Sequence, residues 1–132
     1  MTPKVTSLDH LVLTVADIMR TVAFYSRILG MTPERFATSD GSTRWALKFG
    51  GQKINLHMLG AEFDPKAENV QAGSADLCFL SDTPLAEWIA HLARESVTVE
   101  AGPLPRTGAT GPILSLYLRD PDGNLIEIAN LD

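Results

Sequence analysis

Cysteine is almost missing from this chain: Cys78 is the only one in 132 residues. No disulfide can close within it, as expected of a protein kept in a reducing compartment. Basic residues are also scarce, 11 Lys and Arg against 16 Asp and Glu, for a formal net charge of −5. A nucleic-acid partner needs a basic surface to neutralise phosphates, so none is expected. No apolar run approaches the roughly 20 residues that span a bilayer, which argues against a membrane partner. The start, MTPKVTSLDHLVL, lacks the long apolar core of a secretory signal. Together these absences point to the cytoplasm. Aromatic residues are few, with two Trp and two Tyr, a poor supply for a stacking groove. No HxH or HExxH run occurs. A metal site would therefore have to be assembled from residues distant in sequence.

What is present is an ordinary globular composition. Apolar residues make up 45% and charged residues 20% of the chain, enough for one domain with a hydrophobic core. LDHLVLTV (8–15) alternates apolar and polar positions and reads as a strand. ADIMRTVAFYSRILGM reads as a helix, with Asp17 as N-cap and Gly30 as its left-handed stop. Strands are expected at MTPERFAT, TRWALKFG and QKINLHML, punctuated by Ser39–Asp40–Gly41 and Gly50–Gly51. Past the polar connection GAEFDPKAENVQAG the order recurs. SADLCFLS reads as a strand, and TPLAEWIAHLARES as a helix capped by Thr83 with Pro84 at its first position. VTVEAG, PILSLYLRD and NLIEIANL are further strands, the last two joined by an Asp120–Gly123 turn, while GPLPRTGATG reads as a loop.

Each half is thus β-α-β-β-β, with module one at about 6–60 and module two at about 73–131 of a single 1–132 domain. The modules share an offset of 66 (76 − 10), which relates His10 to Asp76, Leu13 to Phe79 and Asp17 to Thr83. A repeat of that length indicates two fused modules rather than a solenoid. The fold class expected is α+β.

The strand faces then sort themselves. If helices cover one face of each sheet, Leu11, Leu13, Val15, Ile54, Leu56, Leu77, Phe79, Leu116, Ile126 and Ile128 point toward them. The opposite faces carry His10, Asn55, His57, Asp76, Cys78, Ser115, Tyr117, Arg119 and Glu127. Four of these are metal-ligand types on four strands: His10, His57, Asp76 and Glu127. They fall on the first and last strand of each module, His57 and Glu127 being taken as equivalents at an offset of 70 (127 − 57). Imidazole nitrogen and carboxylate oxygen suit a divalent first-row ion such as Zn²⁺, Ni²⁺, Mn²⁺ or Fe²⁺. Glu127, flanked by Ile126 and Ile128, is costly in an apolar strand without a charged partner or a metal.

The stretches LDHLVLTVADIMRTVAFYSRILGM and LYLRDPDGNLIEIANL resemble the vicinal oxygen chelate superfamily, which includes glyoxalase I, extradiol dioxygenases, and fosfomycin- and bleomycin-resistance proteins. FGGQKINLHMLGAEFDPKA and GPLPRTGATGPI are most similar to its small glyoxalase-domain-containing members. The resemblance implies two βαβββ modules forming an open, U-shaped mixed-sheet barrel around one divalent metal, and a homodimer. It implies His10, His57, Asp76 and Glu127 as ligands. Relative to glyoxalase I, the histidine and carboxylate positions are exchanged between His57 and Asp76.

The activity implied is a metal-dependent glyoxalase-like lyase or isomerase, with the ion as Lewis acid and Glu127 or Asp76 as general base. Its substrate would be a small oxygenated molecule, such as a glutathione hemithioacetal. Asn55, Tyr117, Arg119 and Arg106 are candidate substrate-binding residues, with Arg119 equally suited to a structural ion pair. An extradiol-type Fe(II) dioxygenase and a bleomycin- or fosfomycin-type resistance or binding protein are the alternatives. His91 reads as a surface residue of the second helix, and Cys78 as a structural thiol.

Overall fold

The computed structural model describes residues 1–132, and the chain divides into two units, Met1–Gln71 and Ala72–Asp132. In the first, the alternating stretch after Leu8 forms β1 (His10–Val15), followed by α1 (Ile18–Arg27). Asp17 sits in extended backbone and accepts the Arg20 N–H at 3.0 Å, the N-cap expected of it. At the other end, Gly30 takes φ +72 and donates to Ser26 O, so the helix stops at a left-handed glycine. Three strands complete the unit: β2 (Thr32–Ala37), β3 (Thr43–Phe49) and β4 (Gln52–Met58).

Their order is β1-β4-β3-β2, with β1 parallel to β4 and the other pairs antiparallel. The apolar stripe of α1 packs on β2, β3 and β4. Tyr25, Val15, Leu47, Ile54 and Leu56 are buried in the resulting core, each stabilising the fold by ~1.5–3 kcal/mol relative to exposure.

The second unit repeats the plan as β5 (Asp76–Leu80), α2 (Leu85–Arg94), β6 (Ala101–Thr107), β7 (Pro112–Arg119) and β8 (Leu125–Leu131). Its sheet runs β5-β8-β7-β6, with β5 parallel to β8. Leu85, Leu92, Leu116, Leu118, Ile126 and Ile128 form its core. Two βαβββ modules make this the α+β arrangement expected.

Two local expectations are corrected. Thr83 is not the cap of α2; the cap position is Pro84, whose ring carries no hydrogen-bond acceptor. The Asn130 amide of β8 does the work instead. Its oxygen accepts the Leu85 N–H at 3.0 Å and its nitrogen donates to Ser81 O and Thr83 O. The segment GPLPRTGATG is also no simple loop, because β6 runs through its first half while VTVEAG is mostly irregular. Pro103 and Pro105 are tolerated there because β6 lies at the sheet edge. Gly102 is required at this point, since a Cβ would sit 2.3 Å from Ser115 O.

Candidate functional site

On the first unit, the face turned away from α1 carries a row of polar residues. Thr14 lies opposite His57, and the pairing of Trp45 with Leu56 brings Arg44 beside His57 on the far side. His57 is only 4% exposed, yet its Nδ1 has no hydrogen-bond partner. Burial, and then the charge of Arg44, push its pKa below the usual histidine value, so the ring is neutral near pH 7. Asn55 Oδ1 and Arg44 Nε are likewise buried without a partner.

The connection after β4 folds back over this face. Phe63 meets the His57 ring edge-on at 5.4 Å between centroids, and the Arg44 guanidinium stacks 3.7 Å from the Phe63 centroid. Beneath the connection is a cavity of about 320 Å³, lined by Val12, Thr14, His57, Pro65, Lys66 and Val70. His10 lies elsewhere on the same face, at the exposed start of β1. Its Nδ1 is 2.8 Å from Asp9 Oδ2, a pairing that orients an imidazole and leaves Nε2 for a ligand.

On the second unit, Glu127 occupies the centre of the corresponding face. Cys78 of β5 and Tyr117 of β7 flank it in the ladder. The buried Ser115 hydroxyl donates to Glu127 Oε2 at 2.5 Å. The Cys78 thiol hydrogen-bonds the same carboxylate, and its pKa is pushed up to about 11 by desolvation and by the charge of Glu127. A thiol with that pKa stays protonated and acts as a donor, not a nucleophile. Glu127 and Cys78 line a cavity of about 420 Å³ together with Leu80, Arg106, Thr110 and Ile113. Arg106 Nε donates to the Tyr117 hydroxyl at 2.9 Å. Arg119 is held by two bonds to Glu100, at 3.0 and 3.1 Å, and one to Gly123 O. Asp76 stands at the start of β5 opposite Leu125, on the Glu127 face.

The ladders revise one equivalence between the modules. His10 faces Lys53 and Asp76 faces Leu125; two residues on, Val12 faces Asn55 and Cys78 faces Glu127. Asn55, not His57, therefore stands where Glu127 stands. His57 pairs with Thr14, four residues beyond His10, which separates the two histidines by roughly 13 Å along the strands. The histidine and carboxylate donors have the right chemistry for a divalent ion. Within neither unit does a group of three or more His, Cys, Asp or Glu side chains gather that could hold one. No reaction step is therefore assigned to an ion.

Comparison with known proteins agrees with this architecture. The family model for the glyoxalase/bleomycin resistance protein/dioxygenase superfamily matches residues 7–128. The chain belongs to that superfamily. Among proteins similar to it is virulence protein STM3117 of Salmonella typhimurium, 50% identical over 122 residues that cover 92% of this chain and 82% of the relative. Glyoxalase domain-containing protein RDO1 of Mycosarcoma maydis is 52% identical over 127 residues, covering 96% of this chain and 69% of the relative. Among solved structures, integron cassette protein VCH_CASS1 from the mobile metagenome of V. cholerae aligns with a TM-score of 0.91 and 54% identity over 100% of both chains.

Superfamily membership accounts for the shared plan of the two units and leaves the reaction open. Sequence reasoning placed Ser115 on its face without a role, and missed Arg44 and Lys66 altogether. The signal for Ser115 was a small hydroxyl in the apolar run ILSLYL, two residues before Tyr117 and on its face. Arg44 and Lys66 had none, because their roles depend on how the connection after β4 folds back.

Proposed function

We propose that the protein is a glyoxalase-type lyase or isomerase in which Glu127 moves a proton on a small oxygenated substrate. The observation that carries this reading is the Glu127 carboxylate itself, exposed to the 420 Å³ cavity and held in one orientation by Ser115. A base fixed by neutral hydroxyl and thiol donors keeps an oxygen lone pair aimed at substrate. Arg106 lines the same cavity and would hold an anionic substrate group or a developing oxyanion. Tyr117 sets the Arg106 head in place, and Arg119, bound to Glu100, serves structure rather than substrate.

A divalent ion, when bound, would supply Lewis-acid polarisation of a substrate oxygen. In the first unit His10 is the residue prepared to bind one, and in the second Asp76 and Glu127 are. A homodimer working in the cytoplasm belongs to the same reading. A small-molecule-binding protein of the bleomycin-resistance type is the second reading, favoured because neither unit by itself gathers three metal ligands.

Methylglyoxal with glutathione, assayed with Ni²⁺, Zn²⁺, Mn²⁺ or Fe²⁺ restored in turn, tests the first reading. Turnover is expected, with kcat falling about 10²–10⁴-fold in Glu127→Gln. No turnover with any of the ions would leave the binding reading in its place.

A further inference from the structure

We propose that the substrate of the Glu127 site is a small carboxylate with a short apolar side chain, its carboxylate on Arg106 and its side chain against Leu80, Ile113 and Leu131. This rests on the reading of Glu127 as the base and adds the class of molecule on which that base acts. The ladders lay the cavity out from end to end. Glu127, Ala129 and Leu131 follow one another along one face of β8. Leu80 of β5 stands beside Ala129, Ile113 of β7 beside Leu131, and Arg106 of β6 beside Ile113. A carboxylate thus lies at one end, an apolar stretch follows it, and a guanidinium stands at the far corner.

Arg106 selects the charge of the substrate. Its Nε donates to the Tyr117 hydroxyl and its Nη1 to Pro105 O. Both acceptors are neutral, so these bonds fix the head without cancelling its charge and leave three of its five N–H donors. Arg119, by contrast, is already paired with Glu100. Glu127 is engaged by Ser115 and Cys78 rather than by Arg106. A carboxylate can take two parallel bonds from a free guanidinium edge. The apolar wall selects the body. Leu80 and Leu131 line this cavity yet are 60% and 61% exposed, and exposed apolar side chains gathered at a cleft mark a ligand groove. A cavity of about 420 Å³ takes a small molecule. A 2-oxo acid with a short alkyl group meets all three parts. Glu127 would take the proton from the carbon beside its ketone, leaving the enolate, and return a proton to the same carbon, so no redox partner is needed.

The test gives the full chain three probes: 4-methyl-2-oxopentanoate, pyruvate, which lacks the alkyl group, and 4-methyl-2-pentanone, which lacks the carboxylate. Calorimetry reads binding, and NMR in D₂O reads exchange at the carbon beside the ketone. 4-Methyl-2-oxopentanoate should bind about tenfold or more tighter than either and exchange fastest. Arg106→Gln should weaken it about tenfold or more without changing the ketone, and Arg106→Lys should restore part of the loss. Leu131→Ser should weaken it about threefold or more and leave pyruvate unchanged. Failure of 4-methyl-2-oxopentanoate to bind, equal binding of pyruvate or the ketone, or equal affinity in Arg106→Gln would each overturn the proposal. Glu127→Gln should still bind 4-methyl-2-oxopentanoate and lose its exchange. Exchange that survives Glu127→Gln would overturn the base reading alone, while the order of binding would still support this ligand class.

Discussion

Two side chains, Cys78 and His57, report on their faces through their protonation. Cys78 is pushed to about 11 from the ordinary 9.0, so at mildly basic pH its thiolate fraction is about 100-fold below that of a free thiol. Alkylation by iodoacetamide should be slow to match. It should speed up in Glu127→Gln, which removes a negative charge beside the sulfur; an unchanged rate would refute the contact. His57 moves the other way, its folded pKa lying below the unfolded 6.5 through burial and Arg44. As pH falls through 6.5 the unfolded chain takes up the proton first. The stability present above that value is lost as pH drops toward the folded pKa. Urea midpoints should therefore decline from about pH 8 to about pH 5, and decline less in His57→Gln.

Elements here are held by partners far away in sequence. The start of α2 depends on Asn130, and Asn130→Ala should cost about 1–2 kcal/mol in urea unfolding by stripping the cap. A Thr83→Ala change should cost less, since that side chain caps nothing. The DPDGN turn is organised the same way. Asp120 accepts the N–H groups of Asp122 and Asn124, and Asn124 reaches back to Ala75 N. Gly73 closes against this turn with φ +84, where a Cβ would meet Asp122 O at 2.4 Å. Gly73→Ala should destabilise by at least ~1–3 kcal/mol, with the clash added to backbone strain; a neutral result would mean the turn can shift. Strand periods, α1 and its Asp17 cap were legible in sequence because they depend on neighbours within a few residues. The α2 cap and β6 were not, because Asn130 and the edge position of β6 come from other parts of the chain.

At the scale of the whole molecule, each unit presents one polar sheet face. If a divalent ion binds, the ladder register predicts that His10→Ala and Glu127→Ala lower bound metal in elemental analysis more than His57→Ala does. Equal loss in all three would return His57 to the ligand set. The sequence by itself determined the duplicated βαβββ plan, the helix and sheet faces, and the presence of histidine and carboxylate on the polar sides. Periodicity and turn residues act over short range and survive as pattern. Only the tertiary structure decided register, and so that Asn55 rather than His57 matches Glu127. A slip of two residues keeps every side chain on its face and leaves the alternation unchanged, so pattern cannot detect it. The tertiary structure also decided that the connection after β4 returns to bury His57 beside Lys66 and Arg44. That fold depends on Phe63 stacking and the Glu62–Lys66 pair, contacts with no period to read.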